Sequence, residues 1–407
     1  MCAPSTTLKA ADIEVRTMPI KVPASFWRGG TSRAVFFKEE DLAAYDAYAR
    51  DLIILAALGS PDPYGRQIDG LGGGISSLSK VGIIGRGTES DPAVRFTFGQ
   101  VDVERPFVDY LGTCGNMSAA VGPFAIDEGL ITATDPVTPV RVLSTNTGKH
   151  YIAYVPVHDG VAETEGDYAI DGVPGPGARI ALEFLDPGGS TGGRVLPTGQ
   201  ATDTLVLDHS RQVTISLVDA AIPMVFVLAA ELGAVATELP QDLDGNRTLQ
   251  DLLEDIRTQA AVRLGMAETA AQARDKVKAV PKIAMVAPPT PYRTTRDTPI
   301  DPEQVDLVAR MISMGRTHRT FAGTSSMCLA VAAAIPGTVV HHVARQAFPD
   351  RVRIGHPAGI MDVGAKVEPQ GDDWHVESVT TQRTARRIMD GFIYVPQSYI
   401  QGKPWFA

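Results

Sequence analysis

Cysteine is scarce in this chain: Cys2, Cys114 and Cys328 are the three among 407 residues, widely separated and never in a C-x-x-C pair. That excludes a disulfide framework and a cysteine-built metal cluster, and a reducing compartment, the cytoplasm, is the expected setting. No apolar run approaches the length that crosses a bilayer, and the opening residues carry no basic stretch leading into an apolar one. Neither a membrane span nor a secretory leader is therefore expected. Basic residues are outnumbered by acidic ones, 37 to 47, for a net charge of −10, so nucleic acid and anionic membranes are not expected partners. A small anionic substrate is not excluded, because its pocket needs only local N–H donors, hydroxyls and one or two cations.

What is present is an ordinary globular composition, 44% hydrophobic and 21% charged, enough for a large core in two domains. We expect a loose tail over residues 1–17, a first domain over 18–202 and a second over 203–407, with terminal strands able to return to the first.

The chain is organised around Gly112-Thr113-Cys114-Gly115-Asn116-Met117 and the helical spacing of Ala120, Val121, Phe124 and Ala125 that follows. Gly115 reads as a flexible entry, Asn116 as a capping residue, and Gly129 as the stop. A thiol at a helix N-terminus sees the positive end of the macrodipole and unpaired backbone N–H groups, which favour thiolate and seat a carboxylate. Cys114 is accordingly a nucleophile or acid/base group, or else a small buried apolar residue.

Around this stretch, Ile20 to Phe26 and Ala34 to Phe37 read as strands joined by the polar bend Trp27-Arg28-Gly29-Gly30-Thr31-Ser32-Arg33. Glu39 to Leu58 reads as a helix closed by Gly59-Ser60-Pro61-Asp62. The loop from Asp69 to Lys80 carries three successive glycines and Ser76, Ser77 and Ser79, then enters the strand Val81 to Ile84. It runs into a strand instead of a helix, so it is no dinucleotide or phosphate loop. Strands follow over Arg95 to Val103, Phe107 to Tyr110, Val137 to Val157 with a turn at Asn146-Thr147-Gly148, and Arg179 to Phe184. Asp159 to Gly177 and the bend through Leu196-Pro197-Thr198-Gly199 read as loops.

The second half repeats the plan. Val218 to Leu228 matches the first bend and its strand, Leu249 to Gly265 is an amphipathic helix, Ile283 to Ala287 a strand, and Asp301 to Met314 reads as another helix. Phe321-Ala322-Gly323-Thr324 then enters an all-apolar helix, the counterpart of the Cys114 helix. Aligning Gly115 with Gly323 places Ala322 where the first half has Cys114. Cys328 lies within that apolar helix and reads as core.

Arg28-Gly29-Gly30-Thr31-Ser32, Gly59-Ser60-Pro61-Asp62, the Asp69–Lys80 loop, Cys114-Gly115-Asn116, Leu196-Pro197-Thr198-Gly199, Met314-Gly315-Arg316 with His318, and Arg353-Ile354-Gly355-His356-Pro357 occur in an order that resembles the methylaconitate isomerase family. That family includes 2-methylaconitate cis-trans isomerase, 4-oxalomesaconate tautomerase and methylitaconate isomerase. Phe107-Val108-Asp109 and Pro281-Lys282-Ile283-Ala284 look most similar to its 2-methylaconitate branch. The resemblance implies an α/β (α+β) protein of two pseudo-symmetric diaminopimelate-epimerase-like domains. Each would be a curved, mostly antiparallel sheet around a buried helix, with the active site in the cleft between.

It also implies a cofactor-free allylic isomerase, without a metal, in which Lys80 and Cys114 shuttle one proton on a small anionic carboxylic acid. Which of the two is the base stays open, as does formation of a homo-oligomer. Racemases of this fold use two cysteines, so Ala322 disfavours amino-acid racemisation. The substrate-binding positions that follow are Arg28, Gly29, Thr31, Ser32, Ser76, Ser77, Gly115, Asn116, Met117, Thr198, His318, Gly323, Thr324 and His356. Arg28 is expected both to clamp a carboxylate and to lower the Lys80 pKa. The competing functions are isomerisation of another unsaturated di- or tricarboxylate and a non-catalytic accessory role for an iron-sulfur dehydratase. A cysteine hydrolase is weakest, since no His-Asn or His-Asp signal accompanies Cys114.

Overall fold

A computed structural model describes residues 18–88, 90–91, 93–190, 192–207, 211–346, 351–401 and 405–406, and the tail 1–17 with Cys2 lies outside them. The first half opens with the antiparallel hairpin β1 (Ile20–Gly29) and β2 (Ser32–Lys38). Helix α1 (Ala47–Leu58) crosses to β3 (Lys80–Gly85), parallel to β2, and β4 (Val94–Val101) pairs antiparallel to β3. Short β5 (Val108–Asp109) delivers the chain to α2 (Gly115–Asp127), after which β6 (Val137–Ser144) lies parallel to β4. Strands β7 (Lys149–His158), β8 (Val161–Ala162) and β9 (Ile180–Leu185) follow.

The second half begins with β10 (Asp203–Val206) and the hairpin β11 (Gln212–Ala220) and β12 (Ile222–Leu228). Helices α3 (Pro240–Gly245), α4 (Arg247–Arg263) and α5 (Ala270–Lys276) lead to β13 (Lys282–Ala287), parallel to β12. A small separate pair, β14 (Tyr292–Arg293) and β15 (Pro299–Ile300), precedes β16 (Leu307–Ser313), antiparallel to β13. Then come β17 (Arg316–Thr317), α6 (Gly323–Ala334), α7 (Val339–Val343) and β18 (Arg351–His356), parallel to β16. Three long strands finish it: β19 (Gly359–Gln370), β20 (Asp373–Arg383) and β21 (Ala385–Val395).

The halves repeat each other pairing for pairing. The order antiparallel, parallel, antiparallel, parallel runs through β1-β2-β3-β4-β6 and again through β11-β12-β13-β16-β18. Strand β21 returns to pair with β1, and β20 pairs with β9, so one sheet runs through both halves. Each half wraps its own helix: α2 lies against β1, β2, β7 and β9, and α6 against β11, β12, β19 and β20.

Side-chain alternation explains the layering. Along β2, Ala34 and Phe36 face the central core with α2, while Val35 and Phe37 face the outer core with α1. Along β12, Met224 and Phe226 point inward and Val225 and Val227 outward, toward the core that holds α4. Both faces are covered, so these strands carry no polar alternation. The same fact corrects the helix expected over Asp301 to Met314. Leu307, Ala309 and Met311 join the inner core and Val308 and Ile312 the outer one, making β16 a strand buried on both faces whose mostly apolar run, interrupted by the buried Arg310, mimics a buried helix. The helix expected from Glu39 begins instead at Ala47, where Asp46 accepts a hydrogen bond from the Ala49 N–H; Glu39–Leu42 forms a 3₁₀ turn.

Candidate active site

The N-termini of α2 and α6 meet head to head. A Cβ on Gly115 would lie 3.0 Å from the Gly323 carbonyl carbon and the Thr324 nitrogen, and a Cβ on Gly323 would lie 2.9 Å from the Asn116 nitrogen. Only glycine permits this approach. The first helical hydrogen bonds run from Ser118 N–H to Cys114 O and from Ser326 N–H to Ala322 O, so the preceding N–H groups of both helices lack intrahelical partners. Two positive helix ends thus share one place in the fold, an arrangement suited to an anion. Cys114 is the N-cap of α2 and is 8% exposed; Ala322 is the N-cap of α6.

Asn116, expected to cap, sits inside α2 and works sideways. Its side-chain nitrogen donates to Thr31 Oγ1 (3.1 Å) and weakly to Ser32 Oγ (3.5 Å), and its Oδ1 accepts from Arg383 Nε (3.1 Å). Thr31 continues to Thr320 Oγ1 (3.1 Å), and Thr320 donates its N–H to His318 Nδ1 (3.2 Å). This chain of bonds ties the first bend to the second half. Gly29 and Gly30 are required by packing: a Cβ on Gly29 would meet the Asn116 carbonyl oxygen at 2.6 Å, and Gly30 has φ +50°.

Lys80 opens β3 from the glycine-serine loop. The loop is built around Gln67, whose amide donates to Ser60 Oγ and Ser79 Oγ (both 2.7 Å) and accepts from Gly74 N–H (2.9 Å). Asp62 accepts the Tyr64, Arg66 and Gln67 N–H groups and fixes the turn before it. The buried Lys80 Nζ donates to Gln100 Oε1 at 2.5 Å and lies 5.2 Å from the Phe98 ring centre. Gln100 is itself held by the Ser76 and Ser79 carbonyls. Burial pushes the Lys80 pKa below the usual lysine value, and nearby Cys114 opposes that shift. A cavity of about 190 Å³ between the halves is lined by Ser76, Ser77 and Gln100 from one and by Ser313, Arg316 and His318 from the other.

A second cavity of about 100 Å³ is lined by Thr31, Tyr168, His356, Met361 and Arg383. The buried Arg383 guanidinium contacts Asn116 Oδ1, Thr381 Oγ1, the Gln382 carbonyl and Met361 Sδ, and none of these is a carboxylate. His356 Nδ1 accepts from Ala358 N–H (3.2 Å), which leaves the proton on Nε2, and Nε2 is buried with no hydrogen-bond partner among the described residues. Burial holds both His318 and His356 neutral, pushing each pKa down to about 3; Lys282 and Lys80 reinforce it at His318, and Arg310 at His356.

The remaining expected positions lie elsewhere in the architecture. The Arg28 guanidinium is bonded to the Gly30 and Thr384 carbonyls and Thr384 Oγ1, tying the first bend to the residue between β20 and β21, and Arg28 is not among the groups that shift Lys80. Thr198 Oγ1 donates to Asp203 (2.7 Å), and Met117 is core. Gln100, Lys282, Ser313, Thr320 and Arg383 are site neighbours that inspection of the sequence did not single out for chemistry. Lys282 was findable, since it heads the second-half copy of the strand that Lys80 heads; Arg383 carries no local signal.

Residues 19–396 match the PrpF protein family. The chain is 40% identical to a 2-methyl-aconitate isomerase from Shewanella oneidensis and 44% identical to a 3-methylitaconate isomerase from Eubacterium barkeri, each over 93% of this chain and 98% of the relative. A 4-oxalomesaconate tautomerase from Pseudomonas putida is 34% identical over 92% of this chain and 96% of its own. The crystal structure of a methylitaconate-delta-isomerase superposes with a TM-score of 0.76 at 42% identity, covering 96% of this chain and 99% of the other. A probable proline racemase from Agrobacterium radiobacter shares the fold, with a TM-score of 0.53 at 11% identity over 94% and 95% of the two chains. Relatives named for different acids match at similar identity, so the figures do not choose a substrate. With two halves that repeat one strand plan and a match running from residue 19 to residue 396, this chain belongs to the PrpF protein family and is an isomerase.

Proposed function

We propose that this isomerase moves or inverts the double bond of an unsaturated di- or tricarboxylic acid of the aconitate type, using Lys80 and Cys114 for proton transfer. The observation that carries the proposal is a buried lysine with a lowered pKa, held by Gln100 of the cavity between the halves and close to Cys114, the N-cap of one of two helices whose N-termini meet. A neutral Lys80 amine takes the allylic proton. The electron pair left on carbon delocalises through the double bond onto a carboxylate oxygen, giving a dienolate. Returning the proton at the other end, or after rotation, completes the isomerisation with no net change in atoms or charge. We assign the return to Cys114 or to the Lys80 ammonium just formed.

A carbon acid beside a carboxylate is weak, so stabilisation of the dienolate decides the rate. The free N–H groups at the starts of α2 and α6, on Gly115, Asn116, Gly323 and Thr324, are suited to the growing charge. Arg383 and the unpartnered His356 Nε2–H would receive a second carboxylate, since a buried guanidinium without an anion is costly and an anionic substrate relieves that cost. The relatives' names favour methylaconitate, methylitaconate or oxalomesaconate as the acid.

The test is proton NMR of cis-aconitate, trans-aconitate, 2-methylaconitate, methylitaconate and oxalomesaconate in deuterium oxide, with wild type, Lys80→Met and Cys114→Ala. Isomerisation with deuterium entering the allylic carbon is expected for wild type. Each variant should lose at least about 10²-fold. Retention of near wild-type turnover by Lys80→Met would remove Lys80 from the chemistry.

A further inference from the structure

A cavity of about 120 Å³ adjoins the 190 Å³ cavity between the halves, and Lys278, Ser313 and Met314 line both. The rest of its charged lining is Lys282, Arg257, Arg274 and Glu254. At that volume it has room for several waters, and so for the carboxylate arm of a small acid. The two spaces meet at the turn that ends β16, where Met314 and Gly315 both take positive φ, +54° and +72°. This turn holds Ser313 at the boundary between them.

Most of the charges around these cavities are already used. Arg257 donates to both carboxylate oxygens of Glu254 at 2.7 Å, and its Nη1 donates to the Val277 carbonyl at 2.7 Å, which fixes the segment that carries Lys278. Arg274 pairs with Asp255 at 2.5 Å. On the larger cavity Arg319 pairs with Asp244, and Arg105 donates to the Asp275 carbonyl. Lys278 and Lys282 differ. Among the described residues Lys282 Nζ has Ser313 Oγ as its hydrogen-bond partner, at 3.1 Å, Lys278 Nζ has none, and neither lysine makes a salt bridge. Since Ser313 Oγ accepts from Lys282, its own hydroxyl proton is left to donate. Two partly buried ammonium groups and a hydroxyl thus stand at the boundary with no anion among them. Removing cations from water without an anion is costly, and an incoming carboxylate offsets that cost with charge-assisted hydrogen bonds.

We infer that Lys278, Ser313 and Lys282 form the subsite for the third carboxylate of a tricarboxylic substrate, and so favour tricarboxylic over dicarboxylic acids. The inference rests on the function proposed above, which gives one carboxylate to the helix N-termini and a second to Arg383 and His356. An acid with two carboxylates leaves the boundary unused. A separate small anion has the same chemistry, but Lys278 and Ser313 line the larger cavity as well, which favours an arm of the substrate itself.

The experiment uses the full chain as wild type, Lys278→Met, Lys278→Arg and Lys282→Met, with Lys276→Met at the end of α5, outside both cavities, as the control for one lost charge. Isothermal titration calorimetry near neutral pH measures the binding of two saturated acids that cannot isomerise, propane-1,2,3-tricarboxylate and 2-methylsuccinate. Wild type should bind the tricarboxylate one to one and at least about 10-fold more tightly than the dicarboxylate. Lys278→Met and Lys282→Met should each remove most of that preference, Lys278→Arg should keep most of it, and Lys276→Met should keep it all. A wild type without the preference overturns the inference. So does a Lys278→Met chain that loses both acids equally or neither, and so does an equal loss in Lys276→Met, which would be a general effect of charge. Two tricarboxylate molecules per chain overturn it as well, because the boundary would then hold a separate anion. Neither probe is turned over, so a chain that isomerises none of the unsaturated acids refutes the proposed function while the calorimetry still judges the subsite. Lys278 bonds to nothing among the described residues, so the Tm of Lys278→Met should stay within about 2 °C of wild type, which controls for folding.

Discussion

Substituting alanine for Gly323 tests the head-to-head helix contact most directly. The new Cβ would lie 2.9 Å from the Asn116 nitrogen and the Gly115 carbonyl carbon and 3.1 Å from the Gly115 Cα, where ordinary contact begins at 3.4 Å. All three neighbours are backbone atoms and cannot rotate aside. The α2 and α6 termini must therefore separate by about 0.5 Å, at an overpacking cost of about 1–3 kcal/mol. In a chain of this size that lowers Tm by about 2–5 °C. The same displacement splays the two sets of N–H donors, and since about 1 Å of misplacement costs on the order of 10²-fold, kcat should drop about 10-fold. Scanning calorimetry and the NMR isomerisation assay read the two effects. Gly245→Ala, in open space at the end of α3, is the control and should be neutral or slightly stabilising. If Gly323→Ala matched wild type in both Tm and kcat, the contact between the helix ends would be refuted.

Gln100→Leu removes the acceptor that aims Lys80 Nζ, so kcat should fall about 10-fold with KM little changed; an unchanged kcat would show that Gln100 does not orient the amine. Arg383→Met removes a charge-assisted contact proposed for a substrate carboxylate, worth about 1.5–3 kcal/mol, and should raise KM about 10- to 100-fold; wild-type KM would place the carboxylate elsewhere. Burial holds His356 neutral, with its pKa about 3 in the fold against an unfolded value near 6.5. The unfolded chain therefore binds more protons between those values. The stability His356 contributes is complete above about pH 6.5 and falls by about 1.4 kcal/mol per pH unit below it. Tm measured from pH 7.5 to 5 should decline more steeply in wild type than in His356→Asn, and equal slopes would count against a buried neutral histidine.

Local pattern was enough to find the duplicated halves, the two buried helices with their glycine entries and the missing second thiol at Ala322, while the family came from the resemblance of the ordered motifs. These features depend on short-range rules: glycine where backbones touch, apolar runs where an element is buried, turn residues at hairpins. The helix expected over Asp301 to Met314 went wrong because a strand covered on both faces shows no period, and β16 is covered by two different cores. Asn116 looked like a cap because the sequence cannot show that Cys114 already occupies that position. Arg28 looked like a clamp because an arginine beside glycines gives no sign that the Thr384 carbonyl, 356 residues away, holds its guanidinium.

The long-range juxtapositions belonged to the tertiary structure alone. Arg383 reaches Asn116 across 267 positions, and Gln100 and His318 line one cavity from separate halves. Sequence by itself determined the hairpins and the two buried helices, because propensity, turn residues and burial pattern act over a few residues. How far the Lys80 pKa falls, and what surrounds the buried Arg383 guanidinium, depend on burial and neighbouring groups, and those exist only once the two halves have closed on each other.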